Sequence, residues 1–493
     1  MRRTKFEIDW YHNPLMGWVL NIATRLVYWK AIRKPLVNIA DHWLARKLTS
    51  SEPLSGFAKI EAQRNLIYRA VLRTVDRALS NRTLNLQVAQ KIFRLWGGVR
   101  FQPQSRRRIV KQFEKDYETK PPWFLVISPT HACNLNCAGC YANSGNGNTS
   151  AATLPWDLLD RIMGEARDLW GVPLFVFSGG EPLTYRSQGK DLLDIVEKYP
   201  DCLFLMFTNG TLVTQETARR LAKLGNLTPA ISVEGLQHST DQRRGTGIFG
   251  GVLRAMSYLR QEGVPFGVSI TATRQNCDRI LSDDLLDFYF GEQGAFYGFI
   301  FQYMPIGRNP NPDWLPTVDQ RLAFYRRSWQ VVKERGIFLL DFWNHGPLVE
   351  GCIAAGRERG YFHIDWNGKV MPCVFLPYAG ADMGEIYAGG GNLIDAWKSP
   401  FFQMVRQWQR EYGYGCQEVS ARGNWMLPCP FRDHFSLLRS WVETCHPQPE
   451  EGIAGPWMLE ETFWQGMSAC EQEQFRAMQL LWEKEFVGGM DQG

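Results

Sequence analysis

Apolar residues recur at three- and four-residue steps from Pro14 to about Phe113, as at Leu15, Trp18, Val19, Ile22, Leu26 and Trp29. That period predicts amphipathic helices. Pro35, Pro53 and Pro103 punctuate the stretch, and the fixed φ and missing N–H of proline predict helix breaks there. After Pro121 and Pro122 the rhythm changes to short apolar runs at 123–128, 174–177, 203–207, 229–233, 266–271 and 296–303, with amphipathic segments at 156–170, 215–224, 249–262 and 320–334. Runs that are apolar throughout predict parallel strands covered on both faces, with the amphipathic segments as crossover helices. Six such units predict an α/β fold, a partial six-stranded parallel β/α barrel, with chemistry where strands end and loops begin. From 337 onward the rhythm is lost among Gly, Pro, Trp and six cysteines, which predicts a loop-rich fold held by a metal cofactor. The expected organisation is a helical amino-terminal region over 1–120, the barrel over 121–336, and a loop-rich region with terminal helices over 337–493.

Charge changes the picture of the first region. Up to Lys120 the chain holds 24 Lys and Arg against 9 Asp and Glu, and the remainder holds 31 against 41. Such asymmetry implies that the amino-terminal part meets something anionic: a lipid headgroup surface, a phosphorylated substrate, nucleic acid, or the acidic remainder of the same chain. Trp18, Tyr28, Trp29 and Trp43 beside Arg25, Lys30, Arg33, Lys34, Arg46 and Lys47 suit a helix lying on an anionic membrane as well as one packed on a core. The apolar stretch 14–29 is interrupted by Asn21, Thr24 and Arg25, too short and too polar for a spanning helix. No cleavable secretory signal is recognisable, and a cytoplasmic protein, with peripheral contact to the inner face of the membrane through 1–120, is the expectation. No nucleic-acid-binding motif accompanies the basic residues.

The candidate chemistry centres on Cys133-Asn-Leu-Asn-Cys137-Ala-Gly-Cys140-Tyr141, directly after the first predicted strand. Three thiolates on one short loop can hold three irons of a cubane and leave the fourth open. A zinc knot would instead use paired short spacings and a fourth ligand close by. The three-residue then two-residue cysteine spacing resembles the radical S-adenosylmethionine superfamily. That resemblance implies a [4Fe–4S] cluster whose open iron binds the amino and carboxylate groups of S-adenosylmethionine. One-electron reduction then yields methionine and a 5′-deoxyadenosyl radical that abstracts a substrate hydrogen. The family's aromatic residue before the third cysteine is replaced here by Gly139, with Tyr141 as the expected adenine contact.

Later strand ends carry the same resemblance. Gly179, Gly180, Glu181 and Pro182 resemble the motif that binds the methionine amine; two glycines allow close backbone approach to a ligand, and Glu181 can accept a charge-assisted hydrogen bond. Thr208 and Asn209, then Ser232 and Glu234, resemble positions near the ribose and the methionine carboxylate, with Arg244 as a carboxylate partner and Met304 as an apolar adenine contact. Turns and caps favour the same residue types, and Met304 also suits plain core.

Cys352 and Cys373 flank a hairpin predicted over Asp365 to Lys369. Their spacing resembles the SPASM or twitch extension, which carries auxiliary iron–sulfur clusters. One auxiliary cluster is expected, with Cys352, Cys373 and Cys429 as ligands and Cys416 or Cys445 as the fourth. Cys202, Cys277 and Cys470 read as buried thiols. The resemblance covers roughly 123–445 and implies a C–H-activating oxidoreductase that draws electrons from a flavodoxin or ferredoxin. The helical, basic, tryptophan-rich first region favours a lipid, isoprenoid or other membrane-borne substrate. Peptide or protein modification is the alternative, and a non-catalytic iron–sulfur carrier or scaffold a third reading.

Overall fold

The computed structural model describes residues 25–47, 57–101, 104–145, 151–415 and 423–488. Four helices open the chain: α1 (Lys30–Lys47), α2 (Ala58–Ser80), α3 (Leu86–Phe101) and α4 (Gln104–Tyr117). Helix α1 runs through Pro35, where a break was expected. Pro53, Pro103 and the first part of the predicted apolar stripe, from Leu15 to Ile22, lie outside the described residues.

The six predicted runs form β1 (Phe124–Ile127), β2 (Leu174–Phe177), β3 (Leu203–Thr208), β4 (Leu227–Val233), β5 (Gly267–Ala272) and β6 (Tyr297–Gln302), each paired in parallel with the next. Their crossovers include α5 (Trp156–Trp170), α6 (Leu192–Lys198), α7 (Gln215–Leu224), α8 (Gln237–Arg244), α9 (Ile248–Glu262) and α10 (Val318–Gln330). A seventh parallel strand, β7 (Phe338–Asp341), joins β6. Its four apolar residues, Ile337 to Leu340, directly follow the charged end of the preceding helix and the single Gly336.

At the other edge the chain returns after β7. The short strand β8 (His363–Ile364) pairs in parallel with β1, and β9 (Lys369–Met371) and β10 (Ala381–Asp382) follow antiparallel, making a ten-stranded sheet among the described residues. The predicted hairpin is therefore part of the central sheet. Asp365 makes its turn by accepting from the backbone N–H groups of Asn367 (2.9 Å) and Lys369 (2.8 Å).

The continuous apolarity of the runs follows from burial on both faces. Leu125, Ile127, Phe175, Phe177, Phe204 and Met206 pack under the helices in the main core. The opposite, concave face carries a separate cluster of Val126, Val176 and Tyr361 with Phe124, Leu205, Phe207 and Cys373 at its margin.

The amino-terminal helices pack on this body. Arg64 of α2 donates to Leu348 O (3.0 Å) and pairs with Glu350 (2.9 Å), Gln63 donates to Tyr325 (3.3 Å), and Lys59 pairs with Glu485. Asn85 N, at the head of α3, donates to Gly263 O (2.9 Å). Among the described residues no helix is long and apolar enough to cross a membrane.

Burial pushes the Asp365 carboxyl up from 3.8 to about 6. The unfolded aspartate releases its proton first as pH rises, so this group's contribution to stability falls between those two values and is level above them. In thermal unfolding of the apoprotein, Asp365→Asn, which keeps an acceptor oxygen but cannot ionise, gains on the parent across that window by on the order of 2–3 kcal/mol, with no further gain at higher pH.

Candidate functional site

The chain between β1 and α5 has no regular structure where it carries Cys133, Cys137 and Cys140, so its backbone groups need partners from elsewhere. Three neighbouring loops supply them. After β2, Gly180 N donates to Thr130 O (3.0 Å) and Glu181 N to Ala132 O (2.8 Å). At the end of α8, Arg243 O accepts from Ala138 N (2.9 Å), and the Arg243 guanidinium donates to Ala138 O (3.2 Å) and Gly139 O (3.3 Å). After β6, Arg308 N donates to Cys140 O (2.9 Å), and its guanidinium to Cys137 O (2.8 Å) and Ser144 O (2.6 Å).

These approaches explain two glycine positions. A Cβ on Gly180 would sit 2.1 Å from Ala132 O. The glycine thus permits a close approach to the protein's own cysteine loop. Gly139 has φ +60°, and a Cβ there would meet the Trp314 ring at 2.8 Å and the Tyr303 ring at 3.1 Å. The position that elsewhere in the resemblance holds an aromatic residue is filled from outside by two rings.

Glu181 is buried, and its carboxylate accepts from Leu183 N (3.1 Å), the Thr208 hydroxyl (2.7 Å) and Asn209 N (2.8 Å). A carboxylate has about four lone-pair sites, so one remains open to an ammonium donor. Burial raises the Glu181 pKa, against the pull of those hydrogen bonds. The Asn209 amide donates to Asn134 (2.9 Å) and lies 4.0 Å from Cys133 Sγ. Pro182 begins a single 3₁₀ turn. The Tyr141 hydroxyl bonds to Ser178 Oγ (2.5 Å) and accepts from Gly179 N (3.2 Å), so its polar end ties the cysteine loop to the glycine loop.

Glu234 is buried between two cations: Arg244 Nε donates to it at 2.9 Å, and Arg243 Nη1 stands 2.7 Å from its other oxygen. Arg244, expected to meet a ligand carboxylate, already has a protein carboxylate. Ser232 is half-buried beside them. Met304 is 3% exposed in the main core.

Burial raises the Cys133 thiol to about 12, and raises that of Cys137 against the neighbouring Arg244 and Arg243. Iron binding would have to displace those protons. The surroundings suit a metallated cubane. Leu135 N points at Cys133 Sγ (3.5 Å), and N–H groups aimed at sulfur together with nearby cations stabilise a negatively charged cluster. Among the described residues no three His, Cys, Asp or Glu side chains converge on a single ion, and a cubane, which takes one thiolate per iron, does not require that.

A second group of sulfurs lies beyond the concave face. Cys352 Sγ accepts from Gln409 (3.3 Å); Cys373 Sγ bonds to the Tyr361 hydroxyl (2.9 Å) and accepts from Phe375 N (3.4 Å); Cys429 has the Trp343 side chain as donor and shares an electrostatic environment with Cys373. Each sulfur of this trio thus has a donor, the pattern a thiolate ligand requires. Burial holds the Cys373 thiol at about 12 and that of Cys429 at about 11. Cys445 is placed differently: it ends the helix Phe435–Cys445, and its sulfur faces Met404 Sδ at 3.8 Å. Cys416 lies outside the described residues. Cys202 and Cys277 are buried and Cys470 is half-buried.

Sequence reasoning missed Arg243, Arg308, Trp314, Tyr361 and Gln409. Arg308 lies four residues beyond Met304, and Gly307, whose Cβ would lie 2.4 Å from Cys140 O, was the available signal for a close approach. Gln409 sits on an ordinary amphipathic helix, Pro400–Glu411, and nothing local marks it.

Gly180→Ala forces Ala132, next to Cys133, to move. We expect the variant to keep its helical circular dichroism and to form 5′-deoxyadenosine about a hundredfold more slowly than the parent, as misplacement of a reacting group on the order of 1 Å does.

Residues 127–277 match the family described as the Radical SAM superfamily, and residues 352–418 match SPASM, described as an iron-sulfur cluster-binding domain. The chain is 30% identical over 317 residues to the mycofactocin maturase MftC of Mycobacterium tuberculosis, covering 61% of this chain and 76% of that one. It is 27% identical over 295 residues to the AdoMet-dependent heme synthase of Methanosarcina barkeri, covering 54% and 81%. Among solved structures, Streptococcus suis SuiB bound to precursor peptide SuiA aligns with a TM-score of 0.49 at 18% identity, covering 61% of this chain and 70% of that one. The chain therefore belongs to the radical S-adenosylmethionine superfamily, as a SPASM-bearing member whose cofactors are a [4Fe–4S] cluster, S-adenosylmethionine and auxiliary iron–sulfur ligation.

Proposed function

We propose that this protein is a C–H-activating radical S-adenosylmethionine enzyme that oxidises or cross-links a side chain of a peptide or protein. With its cluster and S-adenosylmethionine bound, the site would supply, on one-electron reduction by a donor such as flavodoxin or ferredoxin, a deoxyadenosyl radical able to remove hydrogen from an unreactive carbon. Cys133, Cys137 and Cys140 would hold that cluster, with Gly179, Gly180, Glu181 and Pro182 shaping the methionine end of the site. Thr208, Asn209, Ser232 and Tyr141 would line its remainder. Cys352, Cys373 and Cys429 would hold a single auxiliary cluster. A carrier or scaffold would have no use for the glycine loop strapped beside the cysteines.

The observation that moves the substrate reading from lipid to peptide is where the amino-terminal cations go. Arg33 and Lys34 share Asp76 (2.7 and 2.9 Å), Arg69 pairs with Asp41 (2.8 Å), Arg64 with Glu350 (2.9 Å), and Lys120 with Glu358 (2.8 Å). Part of the charge that suited a headgroup layer is thus paired within the protein. The relatives named as maturases, and the frequency with which members bearing this extension modify ribosomal peptides, support the same reading.

The test is anaerobic reconstitution with iron and sulfide, then dithionite and S-adenosylmethionine, with 5′-deoxyadenosine quantified. We expect product from the parent, none from Cys137→Ala, and retained cleavage in Cys373→Ala. Product from Cys137→Ala would sink the assignment of the cluster, and none from an iron-loaded parent given a peptide digest would sink catalysis.

One surface supports peripheral membrane contact as a second reading. Trp29, Leu36 and Ile39, on and just before α1, are 65%, 50% and 66% exposed, flanked by Lys30 and Lys34. On this reading the parent floats with anionic phosphatidylglycerol vesicles and Ile39→Asp does not; a parent that stays at the bottom of the gradient removes it.

A further inference from the structure

The hairpin of β8 and β9 carries more than Cys373. Its antiparallel register pairs His363 with Met371 and Ile364 with Val370, and continuing that register by two residues sets Tyr361 opposite Cys373. Side chains opposite one another on one face of a sheet meet. The Tyr361 hydroxyl accordingly lies 2.9 Å from Cys373 Sγ. Its ring stacks on Phe124 of β1, with centroids 4.8 Å apart at 16°, in the buried cluster with Val126 and Val176. Its backbone is held as well: Tyr361 N donates to Ile353 O (2.9 Å), and Tyr361 O accepts from Gly356 N (2.8 Å). Tyr361 is thus fastened by its main chain to the segment that follows Cys352, and by its hydroxyl to Cys373.

Chemistry decides which way the hydroxyl bond runs. A thiol is a weak donor and its sulfur a weak acceptor, whereas a phenol donates well. The phenol oxygen has the Val374 N–H as a donor of its own, which leaves the O–H for sulfur. Among the described residues the hydroxyl has no other side-chain partner. A buried tyrosine hydroxyl normally finds a hydrogen-bond partner, and a neutral thiol is a poor one. An iron-bound thiolate is a better one, since it keeps negative charge and has no proton to donate in return. The contact therefore suits a metallated Cys373. Gln409 divides its amide between Cys352 Sγ (3.3 Å) and Ala354 O (3.1 Å); the single phenol proton is committed to sulfur.

Reduction of an iron–sulfur cluster adds a negative charge that is shared with the sulfurs, so a donor aimed at one of them favours the reduced form and raises the potential. Resting on the reading that Cys352, Cys373 and Cys429 hold an auxiliary cluster, we propose that Tyr361 is a positioning residue that sets the potential of that cluster through its hydroxyl bond to Cys373. It biases the auxiliary site toward taking up an electron, as oxidation of a substrate asks.

The test reads the potential directly and needs no substrate. In a full-length Cys133→Ala/Cys137→Ala/Cys140→Ala variant the auxiliary cluster is the one left, and after anaerobic reconstitution its midpoint is followed by electron paramagnetic resonance during a redox titration. Adding Tyr361→Phe, which keeps the ring and its stacking, raises the oxidised-to-reduced ratio at a fixed potential about tenfold, equivalent to a midpoint about 59 mV lower, with the iron content unchanged. Tyr378→Phe is the control: its buried hydroxyl bonds to a sulfur that is no ligand, Met458 Sδ at 3.7 Å, and its removal leaves the midpoint where it was. A midpoint that stays put or rises in Tyr361→Phe, or falls equally in Tyr378→Phe, overturns the proposal. Loss of the cluster from Tyr361→Phe overturns it too, because the hydroxyl would then be a structural support. If the triple variant binds no cluster, or keeps the same one when Cys373→Ala is added, the ligand reading fails and takes this inference with it. A retained cluster at an unmoved midpoint sinks the inference alone and leaves the proposed function standing.

Discussion

An irregular loop that presents three thiols on one side cannot satisfy its own backbone, and the structure around this loop is arranged to do that work. Carbonyls of Thr130, Ala132, Cys137, Ala138, Gly139, Cys140 and Ser144 accept hydrogen bonds from three other segments, those of Gly180–Glu181, Arg243 and Arg308, at the carboxy-terminal edge of the sheet. Those loops can arrive together only because parallel strands deliver their ends to one edge. Glycine at 180, 139 and 307 is the steric consequence, since side chains there would overlap the loop or the rings beside it. The cradle is therefore built from the protein's own backbone, and the cofactor meets a surface already held in place.

Electrostatics join the two sulfur groups to the same frame. Arg243 and Arg244 stand beside the first cysteines, fixed by buried Glu234. Near the second, Asp433 accepts from Cys429 N (3.0 Å) and pairs with Arg432 (2.9 Å) and the fully buried Arg321 of α10 (3.2 Å). Arg432 in turn donates to Gln302 at the end of β6. A buried charge survives only when paired, so the auxiliary region is registered to the barrel by groups that cannot move independently. The hairpin of β8 and β9, an extension of the central sheet through β1, brings Cys373 to the same concave face.

The amino-terminal helices show how a charge count can mislead. Their excess of Lys and Arg suggested an external anionic partner, yet three of these cations pair with Glu350, Glu358 and Glu485 of the remainder of the chain, and others with Asp41 and Asp76 of the same region. Leu36 and Ile39 on α1 stay exposed. The excess charge of one segment was complementary to the deficit of another, and only the fold shows which acidic residues stand opposite.

By itself the sequence determined the strand and helix sequence of the barrel, because burial on both faces writes continuous apolar runs and crossover helices write a 3.6-residue period. It also marked the cysteine loop and the 179–182 loop, since both are contiguous and depend on residue types with few substitutes. Tertiary structure alone decided the rest. It added β7 and joined the predicted hairpin to β1 through β8, pairings set by distant neighbours. It set Cys373 within electrostatic reach of Cys352 and Cys429 and turned Cys445 toward Met404, an arrangement that depends on the course of intervening helices and leaves no trace in spacing. It also made Arg243 and Arg308 into clamps on a loop far away in the chain. A local pattern records what a residue does for its own element; contacts between elements depend on the path of everything between them.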